Sequence, residues 1–242
     1  RLVARVRDNG RTQRSGPPRT TPWSSAVTAT FIVTPPPLIL TEIMFHPETA
    51  VGNSAGDFEY LELKNISDRE LDLVGYHFTD GIEFRFTTNS AVRTLAPGAR
   101  VLVVRKQAAF ARRYPGVGSI AGEFAGALAD EGERIALAGP VEEPIFEVTY
   151  GDKWQGLADG SGFSLVLRDE NIPPAEIRNA GAWSLSATPG GSPGRVDPAP
   201  PPRVVINEVQ PKALAGGQAQ IELQNLENVL VDVSGWWLSD DL

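Results

Sequence analysis

The sequence predicts an all-β protein with one short helix. Its central stretch contains two short segments, Tyr60–Lys64 and Leu71–Val74, in which apolar and polar residues alternate around the polar turn Asn65–Glu70. Side chains on a strand point to opposite faces with a period of two, so each segment has one apolar face to bury. Gly75 ends the second segment and completes the pattern of a hairpin.

The same pattern recurs later in the chain, which indicates tandem domains. Ile39–Ile43 recurs as Val205–Val209, 166 residues later. Six residues of the hairpin recur at a constant spacing of 160 residues: Glu62, Leu63, Asn65, Asp72, Gly75 and Asp80 return as Glu222, Leu223, Asn225, Asp232, Gly235 and Asp240. A period of this length is that of a whole domain and not of a short solenoid repeat.

Further strands of the first copy follow from alternation or from short apolar runs between turn residues. One helix is predicted at Gln107–Tyr114, where Pro115 and Gly116 end it. The predicted strands are Ile82–Phe86, Arg100–Arg105, Glu133–Leu137, Phe146–Tyr150 and Phe163–Arg168.

These segments resemble the lamin tail domain family in their order along the sequence. The matching motifs are Glu42-Ile43, Glu59–Asn65, Leu71–Tyr76, Asp80, Leu95–Gly98, Asp130–Leu137, Asp159–Leu165, and Ala187–Gly190 with Ser192-Pro193. The resemblance implies an immunoglobulin-like β-sandwich without catalytic residues. It covers residues 38–194 as one complete domain and residues 203–242 as the first part of a second.

The flanking segments are predicted to be partial domains and linkers. Residues 1–34 contain two alternating segments that resemble the last strands of a fibronectin type III-like sandwich. Residues 35–37 and 195–202 are rich in proline and are predicted to be stiff linkers. We expect the sequence to be a piece of a longer protein.

Composition excludes several classes of function. The sequence has no Cys, so disulfides and thiolate metal sites are excluded. It has no apolar run of membrane-spanning length, and we expect no signal peptide in it. The first 37 residues carry six Arg and one Asp, whereas the rest of the sequence has a net charge of −13. An acidic body disfavours nucleic-acid binding, because the phosphate backbone requires a basic face.

No catalytic site is predicted from the sequence. His46 precedes a proline in a loop, and His77 lies on a strand, so structural roles are favoured for both. Glu42 and Glu62 recur in both copies and are a conceivable carboxylate pair. Shared ancestry explains their recurrence equally well, which favours a structural reading.

Two weak binding candidates remain. Asp152 and Asp159 flank an oxygen-rich loop that could hold calcium, although no defined calcium-loop spacing is present. Trp154 and Trp183 lie near predicted loops and are candidates for stacking on a sugar. No other cofactor is expected.

We therefore expect a non-catalytic interaction and spacer module of a larger secreted or cell-surface bacterial protein. Its partner would be a protein or a cell-surface glycan. The alternative is a glycan- or calcium-binding accessory domain joined to an extracellular enzyme whose catalytic domain lies outside this segment.

Overall fold

The structure is a computed structural model that describes residues 2–4, 27–29, 36–151, 154, 158–198, 204–211, 219–226, 230–231, 233, 236 and 238. The protein divides into two compact units, Arg1–Pro35 and Pro36–Leu242. In the first unit, strand β1 (Leu2–Ala4) pairs antiparallel with β2 (Val27–Ala29). The remaining residues of this unit lie outside the described part of the protein, so the fibronectin type III-like sandwich stays a prediction.

The second unit is built mainly from strands, as the sequence predicts. Its helix α1 spans Gln107–Arg113, and short 3₁₀ helices span Ala55–Phe58, Pro174–Arg178 and Ala180–Ala182. In sequence order the strands are β3 (Leu38–Met44), β4 (Tyr60–Asn65), β5 (Leu71–Asp72), β6 (His77–Asp80), β7 (Thr94–Leu95), β8 (Arg100–Val104), β9 (Ile120–Glu123), β10 (Arg134–Ala138), β11 (Pro144–Thr149), β12 (Leu165–Leu167), β13 (Trp183–Leu185), β14 (Val204–Gln210) and β15 (Gln220–Asn225).

Two sheets form a sandwich. One has six strands in the order β13-β12-β3-β4-β8-β9, and the other has three in the order β11-β10-β6. Alternation places Leu61 and Leu63 of β4 on the inner face, where they join Ile135 and Leu137 of β10 in one buried cluster. The predicted all-β sandwich with one short helix is therefore confirmed.

The outer face of the six-stranded sheet is also covered in its middle. Tyr60, Leu102 and Val104 pack there against Phe110 of helix α1. The central strands are consequently buried on both faces, and polar residues that alternate with Leu61 and Leu63 are removed from water as well. Because both faces are covered, the charged side chains Glu42, Glu62 and Arg100 are buried in this sheet.

The strand predictions differ from the structure in two segments and miss the short strands β7, β9 and β13. Residues 82–86 form only isolated bridges, at Glu83 and Arg85, instead of a regular strand. The strand predicted at Leu71–Val74 is limited to Leu71–Asp72, since a turn begins directly before Gly75. It pairs with β7 and not with β4, so the predicted hairpin is wrong. The short strands β9 and β13 were not predicted. Gly122 interrupts the apolar pattern of β9, and β13 is three residues long.

Candidate functional site

The outer face of the central sheet contains a cluster of buried charged side chains. Tyr60, Glu62 and Lys64 alternate with the inner-face leucines of β4, and the pairing of β3 with β4 places Glu42 directly opposite Glu62. Both carboxylates are 1% exposed. Buried carboxylates require hydrogen-bond donors or cations, so their partners explain how the sheet tolerates them.

Glu42 is held almost entirely by neutral donors. Its Oε1 accepts hydrogen bonds from Tyr60 Oη at 2.6 Å, Ser164 Oγ at 2.5 Å and the backbone N–H of Ser192 at 2.9 Å. Its Oε2 has one long contact, to Ser192 Oγ at 3.4 Å. The two oxygens are therefore unequal, and Oε2 is the one with room for a proton.

Glu62 is held by an ion-pair network as well as by neutral donors. Its Oε1 accepts hydrogen bonds from Thr41 Oγ1 at 2.6 Å and Arg100 Nη1 at 2.9 Å, and its Oε2 accepts one from the backbone N–H of Gly194 at 2.6 Å. The same guanidinium donates through Nη2 to both oxygens of Glu170, at 2.7 and 2.6 Å. Glu170 also accepts a bond from Lys64 Nζ at 2.8 Å, which adds a second cation to the network.

Both carboxylates bind the segment that closes the domain, residues 186–194, called here the closing segment. Glu42 accepts the backbone N–H of Ser192, and Glu62 accepts that of Gly194. Gly191 has φ of +75°, and a Cβ at this position would collide with Glu42 Oε1 and Tyr60 Oη. Glycine is therefore required both by the backbone conformation and by the close approach to the carboxylate.

Burial controls the ionisation of the cluster. It raises the pKa of Glu42 to about 7, and the nearby charge of Glu62 acts in the same direction. Burial also raises the pKa of Glu62, although the bonds from Thr41 and Arg100 oppose it. Glu170 is partly buried, but its bonds to Arg100 and Lys64 hold its pKa below the usual range.

This geometry suits structural closure better than catalysis. Each carboxylate oxygen lies against groups of the domain itself, and neither side chain is exposed to a substrate in this conformation. The cluster joins strands β3 and β4 to a segment that is 150 and 132 residues away in the sequence. The cluster therefore holds the closing segment against the sheet through hydrogen bonds.

Comparison with known proteins identifies the fold family of this domain. Residues 34–152 match the family model described as Lamin Tail Domain. This segment belongs to the lamin tail domain family. The sequence resemblance is thereby confirmed within residues 34–152, and the family's immunoglobulin-like fold agrees with the observed sandwich. The tandem second copy stays a prediction.

Two further comparisons complete the findings. The curated proteins contain no match to this sequence. A solved structure of a DUF4876 family protein from Bacteroides thetaiotaomicron is 12% identical and has a TM-score of 0.40, and the match covers 66% of this protein and 70% of that one.

The structure of the lamin tail domain continues beyond the residues that match the family model. Strands β12 and β13 and the closing segment all follow residue 152, yet this region supplies Ser164, Ser192 and Gly194 to the buried carboxylates. The match alone therefore omits several of the cluster's partners.

The predicted calcium candidates do not form a cation site among the described residues. Asp152 lies outside them. Asp159 Oδ1 lies 2.5 Å from His46 Nδ1, and Asp130 Oδ1 lies 3.6 Å from the same nitrogen. In the described part of the protein, no group of three or more His, Cys, Asp or Glu residues is placed to hold a metal ion. Asp159 instead joins two loops through His46.

The tryptophan candidates belong to the core of the lamin tail domain. Trp183 is completely buried and donates its Nε1–H to the carbonyl of Ile177 at 2.7 Å. Trp154 is partly buried and packs against it, with ring centroids 6.4 Å apart. The expected exposed stacking role is therefore wrong for Trp183 in this conformation, because its apolar surroundings bury the ring.

The two histidines also have structural surroundings. His77 is buried, with Nδ1 3.0 Å from the carbonyl of Gly75 and Nε2 3.3 Å from Glu142.

Among the helices that the structure describes, none has both the length and the apolar character needed to cross a membrane.

The sequence indicates Glu42 and Glu62 but not most of their hydrogen-bond donors. Tyr60 was noted only as part of a strand, and Arg100 only as the start of one. Ser192 and Gly194 carried a signal, since they stand in the Gly-Ser-Pro-Gly turn that supports the family resemblance. Their role as backbone donors required the fold.

Proposed function

We propose that the lamin tail domain is a non-catalytic interaction and spacer module of a larger secreted or cell-surface bacterial protein. One observation carries the proposal: the buried carboxyl of Glu42 joins the first strand of the domain to its last segment. Strand β3 begins at Leu38, directly after one proline-rich stretch, and the closing segment precedes the other. A tension applied through the two stretches acts on elements that are bonded to each other.

One contact joins these two ends directly, and two contacts of the neighbouring strands β12 and β4 support it. Strand β3 pairs with β12 through Ile43 and Leu165, Glu42 accepts the N–H of Ser192, and Glu62 accepts the N–H of Gly194. The bond from Gly194 to Glu62, which is paired with Arg100, is charge-assisted and stronger than a neutral one, and water is excluded from both bonds. A spacer that must stay folded under load benefits from such bonds between its ends.

The enclosure of both carboxylates by groups of the domain itself supports a non-catalytic reading. The family and the fold point the same way. The proposed partner is a protein or a cell-surface glycan that contacts the outside of the sandwich. The rival proposal, an accessory domain that binds calcium or glycan beside an extracellular enzyme, places the function at the loops around Asp159 and Trp154.

Single-molecule force spectroscopy tests the spacer proposal, with handles attached in the two proline-rich stretches. We expect Glu42→Ala to lower the unfolding force. The matched control is Leu137→Ala, which removes a fully buried side chain from β10 in the opposite sheet. At equal loss of thermal stability, Glu42→Ala must lower the force more than Leu137→Ala. Equal force losses contradict a mechanical role for the carboxylates.

A thermal melt of the protein separates the rival. A ligand that binds only the folded state raises the melting temperature by mass action. We expect no shift with calcium, EDTA or a panel of bacterial and plant polysaccharides. A shift that is lost in Asp159→Asn, with calcium, or in Trp154→Ala, with a polysaccharide, would replace the spacer proposal by the accessory-domain proposal.

A further inference from the structure

A cleft of about 380 Å³ lies beside the closing segment. Residues 188–191 of this segment line it, together with Arg113 and Tyr114 at the end of helix α1 and with Arg195, which follows the closing segment. Its volume is in the range of pockets that hold a ligand or a short part of a partner molecule. The cleft is separate from the buried carboxylates, which lie within the sheet.

The guanidinium of Arg113 is held in position by neutral groups. Its Cζ lies 3.4 Å from the centroid of the Phe58 ring, and its Nη2 donates to the backbone carbonyl of Glu48 at 2.7 Å. These contacts orient the planar group but leave its positive charge unpaired. Because a guanidinium has several N–H donors in a fixed fork, a carboxylate that enters the cleft meets donors that are already oriented.

The domain does not neutralise the positive charge of the cleft. Four arginines of the same unit are paired with Asp or Glu: Arg100, Arg105, Arg134 and Arg178. In contrast, Arg113 and Arg195 form no ion pair with a carboxylate among the described residues. Asp197 lies near Arg195 in the sequence but accepts the backbone N–H of Ala187 instead. Glu48 is the one carboxylate among the described residues that line the cleft, so the two arginines outnumber it.

The charge of the whole domain makes this cleft selective. Residues 36–198 contain 23 Asp and Glu but 14 Lys and Arg, a net charge of −9. The domain as a whole therefore repels an acidic molecule, whereas the cleft attracts it. Since charge complementarity across an interface mainly sets specificity and the rate of association, an acidic partner is directed to the cleft.

The other groups of the cleft favour a polypeptide as its occupant. Gly162, Gly190 and Gly191 bring main chain without side chains to its lining. Tyr114 Oη is buried and has no hydrogen-bond partner among the described residues, and Glu48 is exposed. A peptide offers carboxylates for the arginines, backbone N–H groups for Glu48 and backbone carbonyls for a hydroxyl donor. A saccharide without amide groups offers no N–H donor.

We propose that this cleft binds an acidic peptide segment of a partner protein, whose carboxylates lie against Arg113 and Arg195. The inference names the partner class of the proposed interaction module, and it rests on that function only in requiring a protein partner. The closing segment that Glu42 and Glu62 hold forms part of the lining. The buried cluster therefore positions one part of the binding site.

Fluorescence anisotropy of a labelled hexaglutamate peptide, titrated with the full 242-residue protein, tests this inference. We expect saturable binding that weakens as NaCl is raised, and no binding of the neutral hexaglutamine peptide. Arg195→Gln removes an exposed guanidinium and is expected to lower the affinity by about five-fold or more, and Arg113→Gln by at least as much. The matched control Arg93→Gln removes the same charge from an exposed arginine that does not line the cleft, and its affinity should equal that of the original protein.

The alternatives give different results in the same titration. Absence of hexaglutamate binding, or equal losses in Arg195→Gln and Arg93→Gln, would overturn the inference. A hexamer of galacturonic acid that binds as tightly as hexaglutamate, and is weakened by Arg195→Gln, would overturn the choice of a peptide. If Arg113→Gln lowers the melting temperature through its lost contact with Phe58, the exposed Arg195 decides alone. The unfolding force is a separate measurement, so failure of this inference is distinguishable from failure of the spacer proposal.

Discussion

Replacing Glu42 by Gln tests whether this buried carboxyl is protonated in the folded domain. Oε1 accepts three hydrogen bonds, and Oε2 faces only the hydroxyl of Ser192 at 3.4 Å. A proton on Oε2 can point at that hydroxyl without disturbing the three bonds to Oε1. The amide of Gln reproduces this arrangement, with its oxygen in the place of Oε1 and its N–H₂ in the place of Oε2.

The pKa of Glu42 sets the size and sign of the effect. The folded domain raises the pKa from 4.5 to about 7, because burial and the charge of Glu62 disfavour the ionised form. The folded state therefore binds the proton more tightly than the unfolded state. The free energy of unfolding falls as the pH rises from 4.5 to 7, by roughly 3 kcal/mol from this group.

Urea unfolding of the original protein and of Glu42→Gln at pH 5 and pH 8, followed by the fluorescence of buried Trp183, measures this difference. At pH 5 we expect the two free energies of unfolding to agree within about 1 kcal/mol. At pH 8 we expect the variant to be more stable, by up to roughly 3 kcal/mol, because it has no charge to bury.

A second carboxyl contributes to the same pH window and must be separated. Burial raises the pKa of Glu59 to about 7 despite the bond from the N–H of Leu128, so a pH slope of the same sign remains in the Glu42 variant. The control Glu83→Gln changes an exposed carboxyl and should keep the full slope of the original protein. Equal slopes for the original protein and for Glu42→Gln would refute the assignment of a proton to this site.

Three other substitutions test the cluster and the core. Gly191→Ala is expected to destabilise the domain by at least about 2 kcal/mol more than Gly98→Ala. Both glycines have φ near +75°, but only a Cβ at position 191 collides with the carboxyl of Glu42. Thermal melts compare the two variants. Arg100→Met is expected to lower the free energy of unfolding by about 3–5 kcal/mol, because it leaves the buried charge of Glu62 alone. Adding Glu62→Met in the same molecule is expected to restore part of this stability. Urea unfolding of the double-mutant cycle measures the recovery, and purely additive losses would contradict the ion pair. Trp183→Phe is expected to lower stability by about 1–3 kcal/mol through a lost hydrogen bond and a cavity, which calorimetry measures; an unchanged melting temperature would contradict the burial.

Local patterns in the sequence were sufficient for the core strands and the helix but not for the hairpin, because β4 pairs with β3 and β8 while β5 pairs with β7. Leu61 and Leu63 alternate with polar residues, and Pro115 ends the helix, so both elements follow from neighbouring residues. Residues 82–86 alternate equally well but form only bridges. Alternation predicts which face of a segment is apolar, but it does not supply a regular partner strand.

The cluster was less predictable because its partners are distant in the sequence. Ser164 and Ser192 are 122 and 150 residues from Glu42, and no local pattern connects them. The recurrence of Glu42 and Glu62 is visible in the sequence, but it does not show that both carboxylates are buried. The closing segment and helix α1 cover the face of the sheet that carries both carboxyl groups. Their burial can be seen only in the assembled sandwich.

The buried charges raise the question of why the domain does not close with apolar residues alone. An apolar face holds any apolar segment of suitable size, whereas Glu42 and Glu62 require N–H donors at two defined places. We therefore expect a variant with Met at positions 42, 62 and 100 to keep the sandwich but to lose selection of its closing segment, as buried polar groups confer such selection in some proteins.

Hydrogen exchange of this triple variant shows whether the carboxylates select the closing segment or whether apolar packing alone closes the domain. The amides of β3 and β4 should remain slow, because Leu61 and Leu63 still pack on the opposite sheet. The amides of Ser192 and Gly194 should become fast, since their acceptors are gone. If these two amides stay slow, apolar packing alone closes the domain, and the carboxylates have no part in selecting the segment.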